Sequence, residues 1–485
     1  MKRFLIISAA ALLLVASCSI SPEAALDEYP PIFPDYTDVT VPCNIAPLNF
    51  RLDDCQDAGA SALVLSAGGC TVQVKGPEFD IPLKEWRLLT SETKDITATV
   101  LSRRGGVWSA YKPFTIHVSP DSIDSHLVYR LIEPGYETWN KLGIYQRCLE
   151  DFTEKAIITN EGTDRNCMNC HSFAGRNPDR MVFHMRAAHG GTYVTDGQRV
   201  EKVDTKTPQT ISAVVYPQWN NKGTRIAFSV NDIYQVFHST NPNRVEVYDS
   251  ASDVVVYDPK THSLTSSPLL MQEDVLETFP SFSPDGKTLY FCSSPVQEVP
   301  KDYAKICYSI CSIDYDEATD SFGESVDTLF NARVVGGSAT FPRVSPDGRW
   351  LMFARGPYGC FNIWHKSADL WMIDLRSGET FPLEGAGSPE AESYHAWSGN
   401  SKWVVFGSRR LDGLYTRPFI CHIDSDGNAS KPFLLPQKDS RYYDRSFKSF
   451  NIPEFTDGEV GISEKELSRC ALSDEETRIN KITVR

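Results

Sequence analysis

Nothing in this 485-residue chain shows the sustained helical periodicity that an α/β catalytic domain needs, and the hydrolase signatures G-x-S-x-G and H-E-x-x-H are both missing. Acidic pairs such as Glu390 and Glu392, or Asp424 and Asp426, read as turn residues and solvated faces rather than general acids. No catalytic residue is assigned, and the balance leans away from an enzyme. Basic residues are short: 48 Lys and Arg stand against 63 Asp and Glu, for a net charge of −15. Such a surface repels phosphate backbones, and no basic stretch with interleaved aromatics overrides it, so no nucleic acid is expected as a partner. The longest apolar run, Phe4 to Val15, falls short of the roughly 20 residues of a spanning helix.

That run has another reading. Lys2 and Arg3 precede it and the small residues Ala16 and Ser17 follow it, the layout of a secretory signal over residues 1–17. Val15-Ala16-Ser17-Cys18 resembles a bacterial lipobox, which implies acyl chains on Cys18, a tether over 18–37, and a body held on a membrane surface without crossing it. Ser19 and Ile20, with no Asp directly after Cys18, resemble lipoproteins sorted to the outer membrane, on its periplasmic or cell-surface face. Export also permits disulfides among the 13 cysteines. Most of them sit singly in strand-like runs, as in "LYFCSS" and "PFICHI", and read as small buried hydrophobes.

The length allows two to four domains, or one large β domain with an extra module. From 38 to 120 the chain shows short alternating runs broken by turn residues, among them a hairpin with strands at Ile96–Leu101 and Val107–Tyr111 around Arg104-Gly105-Gly106. This spacing predicts an Ig-like β-sandwich. Further on, a unit recurs. "YPQWNNKGTRIAFSV" begins at Tyr216, "FPSFSPDGKTLYFCS" at Phe279, "FPRVSPDGRWLMFAR" at Phe341 and "YHAWSGNSKWVVFGS" at Tyr394. A period of about 50 to 65 residues signals a propeller or solenoid. Each unit starts with an inner-strand aromatic, turns at Ser-Pro-Asp-Gly or a variant, and resumes as an alternating strand. The units resemble the WD40-like repeats of TolB-type β-propellers, over roughly Ile211 to Pro436. The resemblance implies an all-β chain with a propeller of about six blades over 126–460 and a tail over 461–485. Four clear units are too few to close the ring, so divergent blades are expected from 129 onward, and "YYDRSFKSFNIPEF" is expected to supply a closing strand.

Inside that span, "RNCMNCHSF" places Cys167, Cys170 and His171 as C-x-x-C-H, with the surrounding loop at 165–190. Two thiols at this spacing can form thioethers with the vinyl groups of haem c while the adjacent imidazole ligates iron. His171 is then the proximal ligand, and His184, Met185 and His189 are candidate distal ligands. If "MVFHM" is a strand, His184 and Met185 face opposite sides and only one can reach the iron. Zinc is an alternative, because Cys167, Cys170, His184 and His189 fall at finger-like spacing. A disulfide between the two cysteines is another. No helical cytochrome domain surrounds the motif, so a haem would sit on a propeller loop.

Two functions follow. One is an exported lipoprotein carrying one covalent haem c, for electron transfer or redox sensing with a protein partner at the outer membrane. The other is a haem-free propeller that binds proteins, peptides or glycans, with the C-x-x-C-H segment as a structural zinc site or disulfide staple.

Overall fold

A computed structural model describes residues 20–53, 60–92, 95–133, 141–241, 243 and 245–485; the segment 1–17 and Cys18 lie outside it. Two β units follow one another, and the all-β expectation holds. The first builds a seven-stranded sheet around the long strand Asp95–Arg104, which pairs with Ala60–Ala67 on one side and with Val107–Ala110 and Phe114–Ser119 on the other. A three-stranded sheet, Ile32–Phe33, Phe50–Leu52 and Glu78–Phe79, covers it. Phe50 meets Phe79 and Phe114 edge-on at 5.1 and 6.2 Å in the core between them. One element departs from a pure sandwich: Leu83–Glu92 is an α-helix. Trp86 and Leu89, three apart, are both fully buried from it, and Trp86 Nε1 donates to the Ile45 carbonyl at 2.9 Å. The unit rests on the propeller, where Tyr36 Oη donates to the Leu434 carbonyl and Trp403 Nε1 to that of Asp121.

The second unit is a ring of six antiparallel blades. Blade 2 runs Met168–Phe173, Met181–Met185, Gly191–Asp196 and Arg199–Asp204 from the inside outward. Blades 3 to 6 start from the inner strands Val214–Trp219, Val275–Phe282, Ser338–Val344 and Glu392–Trp397. Blade 1 is composite. Its outer strands His126–Ile132, Gly143–Cys148 and Glu154–Thr159 come early in the chain, and its inner strand Ser449–Thr456 comes from the far end and closes the ring. Thr477–Arg478 and Lys481–Val484 then add parallel edge strands to blades 2 and 3.

The repeated turn has a common hydrogen-bond logic. In "SPDG" the Ser283 hydroxyl donates to Asp285 at 2.6 Å and accepts from the Thr288 amide at 3.0 Å, while Gly286 takes φ +74°. Ser345 with Asp347 and Trp350, and Ser398 with Asn400 and Trp403, repeat the arrangement. Strand alternation then sends successive side chains to opposite neighbours. In blade 2, Met181, Phe183 and Met185 pack on Val128 and Ile144 of blade 1, whereas Val182 packs on Phe228 and Tyr257 of blade 3.

Ring closure therefore hangs on one late strand. Phe450, fully buried there, lies 4.8 Å from the Tyr129 ring. Phe450→Ala is expected to cost about 3–5 kcal/mol in urea denaturation. Val334→Ala, at a residue 80 % exposed, should stay within about 0.5 kcal/mol.

Candidate functional site

At one depth in each blade, the inner strand contains a residue in the left-handed region. These are Cys170 (φ 50°), Tyr216 (52°), Phe279 (50°), Phe341 (57°), Tyr394 (46°) and Ile452 (53°). Each sits where the pairing with the next strand breaks register by a bulge. The bulge turns the side chain out of the sheet and toward the centre of the ring. Tyr216 and Phe279 stand 4.6 Å apart, Phe279 and Phe341 4.4 Å, and Phe341 and Tyr394 5.1 Å. Phe361, from the loop of blade 5, lies over this collar within 6.2–6.5 Å of Tyr216, Phe341 and Tyr394.

The collar reframes C-x-x-C-H. Cys170-His171-Ser172-Phe173 occupies the same repeat position as Tyr216-Pro217-Gln218-Trp219, Phe279-Pro280-Ser281-Phe282, Tyr394-His395-Ala396-Trp397 and Ile452-Pro453-Glu454-Phe455. Cys170 is thus the collar member of blade 2. His171 stands where other blades place Pro, and where blade 6 also places His. The two histidines are alike in burial and in the blade they face. The Nε2 of His395 donates to the Met352 carbonyl of the preceding blade at 3.0 Å, and the backbone of collar residue Phe341 lies beside the ring. His171 meets the backbone of Val128 and of collar residue Ile452 in its own preceding blade. Burial pushes both imidazoles down to about 3, so both are neutral. Neither ring nitrogen of His171 makes a hydrogen bond to a described residue.

The other expected ligands scatter. Cys167 and Cys170 line one cavity, described below, and His171 does not. The strand "MVFHM" separates His184 from Met185 as its period requires. Met185 joins the blade 1 side, while His184 faces blade 3, 5.7 Å from Phe228, with Nδ1 3.0 Å from the Thr192 hydroxyl. His189 pairs with Asp164 at 3.0 Å. Among the described residues no group of three or more His, Cys, Asp or Glu side chains is gathered closely enough for a metal ion. The residues of the haem motif are divided: Cys167 and Cys170 line the axial cavity, whereas the adjacent His171 is buried beside the backbone of Val128 and Ile452 and is absent from that lining. Cys167, Cys170, His184 and His189 likewise do not converge as zinc ligands.

What the axis offers instead is a cavity of about 480 Å³ on one side of the collar. Cys170, Tyr216, Tyr394 and Ile452 form its floor and Phe361 and Trp364 part of its wall. Arg130, Arg186 and Arg409 line it, with Glu133 as the one carboxylate among the described residues. Arg409 stacks 4.0 Å over the Trp364 ring. On the far side of the collar lies a smaller cavity of about 120 Å³, lined by Gln218, Ser281, Arg343, Ala396 and Glu454, all at the third position of the repeat. The Phe173 amide donates to Glu454 Oε1 at 3.0 Å. Repeat alignment alone could have found the collar, since "CHSF" and "YHAW" share a frame. Nothing in the sequence marks Arg130 or Glu454.

No protein-family model matches the chain, and no curated protein matches it. Among solved structures it is similar to a puromycin-hydrolyzing peptidase of Mycobacterium tuberculosis at 13 % identity and TM-score 0.36, covering 82 % of this chain and 57 % of that one. It is similar to the tricorn protease at 11 % and 0.33, covering 80 % and 43 %. A periplasmic gluconolactonase of Pseudomonas aeruginosa stands at 14 % and 0.34, covering 67 % and 99 %. The chain thus spans about half the length of the first two, and the fold is read from its own strands.

The Glu454 carboxyl gives the site a pH signature. Burial pushes it up from 4.5 to about 7, against the opposing pull of the Phe173 amide, Arg343 and Arg176. The fold holds this proton more tightly than the unfolded chain does. The group's contribution to stability is therefore complete below about 4.5 and lost as pH rises to about 7. In calorimetric scans, wild type should lose melting temperature relative to Glu454→Gln over that window and run parallel to it above. Curves parallel throughout would contradict the assignment.

Proposed function

We propose that this chain is an exported, lipid-tethered β-propeller that binds a small ligand in its axial cavity, and that the C-x-x-C-H strand is part of the cavity wall and the blade core rather than a haem mount. One observation carries the reading: Cys170 and His171 fill repeat positions that Tyr394 and His395 fill in blade 6, so their placement has a structural cause without any cofactor. The cavity has the size and apolar lining of small-molecule sites, which run to about 300–1,000 Å³. Among the described residues its lining includes no histidine and one carboxylate, which favours recognition over acid–base chemistry. The lipid on Cys18 would moor the ring to the outer membrane. No helix among the described residues is long and apolar enough to cross a bilayer, which is compatible with such an anchor.

The electron-carrying reading keeps one observation in its favour, the two unpartnered nitrogens of the buried His171 ring. Protein made together with a periplasmic haem-attachment system separates the two. The expected outcome is a mass equal to the processed, lipidated polypeptide and no pyridine haemochrome of thioether-linked haem. A covalent haemochrome that vanishes in Cys170→Ala would replace the ligand-binding reading with the redox one.

A further inference from the structure

The charge inside the axial cavity runs against the charge of the whole molecule. A chain of net charge −15 lines this cavity, among the described residues, with three guanidinium groups and a single carboxylate. The guanidiniums converge on the collar. Arg130 and Arg186 both act on the Cys170 thiol, and Arg130 and Arg409 both act on the Tyr394 hydroxyl. Arg409 is engaged already, held over Trp364 with Nε toward the Thr416 hydroxyl at 3.4 Å. The other two are not consumed. Arg130 gives Nη1 to the Met168 carbonyl at 3.1 Å, while its buried Nε has no partner among the described residues. Arg186 is exposed at the cavity and makes no ion pair with a described residue.

We infer that the axial cavity takes a small organic carboxylate, its charge held by Arg130 and Arg186 and its apolar body laid against the collar and Trp364. The inference rests on the ligand-binding reading above. Arginine forks match a carboxylate with two parallel hydrogen bonds, and such charge-assisted bonds are about twice as strong as neutral ones. The buried Oε2 of Glu133 is itself unpartnered in the same wall. A carboxyl group in the same wall suits a monoanion better than a phosphate dianion. Ile132, Ile233, Val247 and Ile363 supply apolar wall for the rest of the ligand.

Calorimetric titration of the full chain with benzoate, phenyl phosphate, benzyl alcohol and benzylamine tests this. Benzoate should bind about tenfold more tightly than the other three and weaken as NaCl is raised. Arg130→Gln and Arg186→Gln should each weaken benzoate by about three- to tenfold, with Arg186→Gln, at an exposed residue, leaving the melting temperature in place. Benzyl alcohol binding as well as benzoate, or phenyl phosphate binding more tightly, would overturn the carboxylate assignment while leaving a ligand-binding cavity. If none of the four binds, both readings fall.

Discussion

Where six sheets close around one axis in this molecule, each inner strand expels a side chain at the same depth, and the rest of the molecule is organised around that constraint. A left-handed backbone at an aromatic or β-branched residue costs of order 1–3 kcal/mol and persists only where surrounding structure over-determines it. Here the bulge in each inner pair fixes the backbone, and ring contacts of 4.4–5.1 Å between Tyr216, Phe279, Phe341 and Tyr394 repay part of the strain. The two collar members without an aromatic ring, Cys170 and Ile452, belong to the adjacent blades 2 and 1. The larger axial cavity opens over that side of the collar, with Cys170 and Ile452 in its floor and Phe279 and Phe341 outside its lining. The gap in the aromatic collar and the axial cavity are one feature.

The same constraint gives the cysteine motif a second origin. Two letters of C-x-x-C-H are set by the repeat: a collar residue, then a residue wedged against the preceding blade. Proline serves the second role in four blades, and a neutral histidine serves it in blades 2 and 6. Histidine at that position is buried by the repeat itself, because the preceding blade packs against it. Only Cys167 is left outside the repeat, at the rim of the cavity.

Four blades were legible because Ser-Pro-Asp-Gly turns and their variants are local. The serine hydroxyl with its following carboxylate or amide, or Asn220 Oδ1 in blade 3, and the left-handed residue act within six positions, so the sequence displays them directly. Blade 2 was harder, because its inner strand leads into Ala174-Gly175-Arg176, with two consecutive positive φ angles in place of that turn. Blade 1 was harder still, since its inner strand is supplied from more than 300 residues away. The helix Leu83–Glu92 had a readable signal in the spacing of Leu83, Trp86 and Leu89, which a search for alternating runs passes over. The site was the least legible part. Arg130, Arg186, Arg409 and Trp364 come from four different blades, counted from the blade that each arginine follows or joins, and no spacing in the chain announces their meeting.

A negative protein with a positive cavity is not a contradiction once distance is considered. Surface charges separated by more than about 8 Å are largely screened at physiological ionic strength, so the net charge governs solubility and distant encounters rather than the cavity. Inside, the collar and Phe361 exclude water from one side of the guanidiniums, and charges set in a less polar surround interact more strongly at short range. The acidic exterior disfavours polyanions that must approach along an extended surface, such as nucleic acid. A small anion that fits within the cavity experiences mainly the local arginines. On the proposed reading, size and charge would then be selected together: the ring would exclude what is too large to leave the outer field, and the arginines would retain what is small enough to enter.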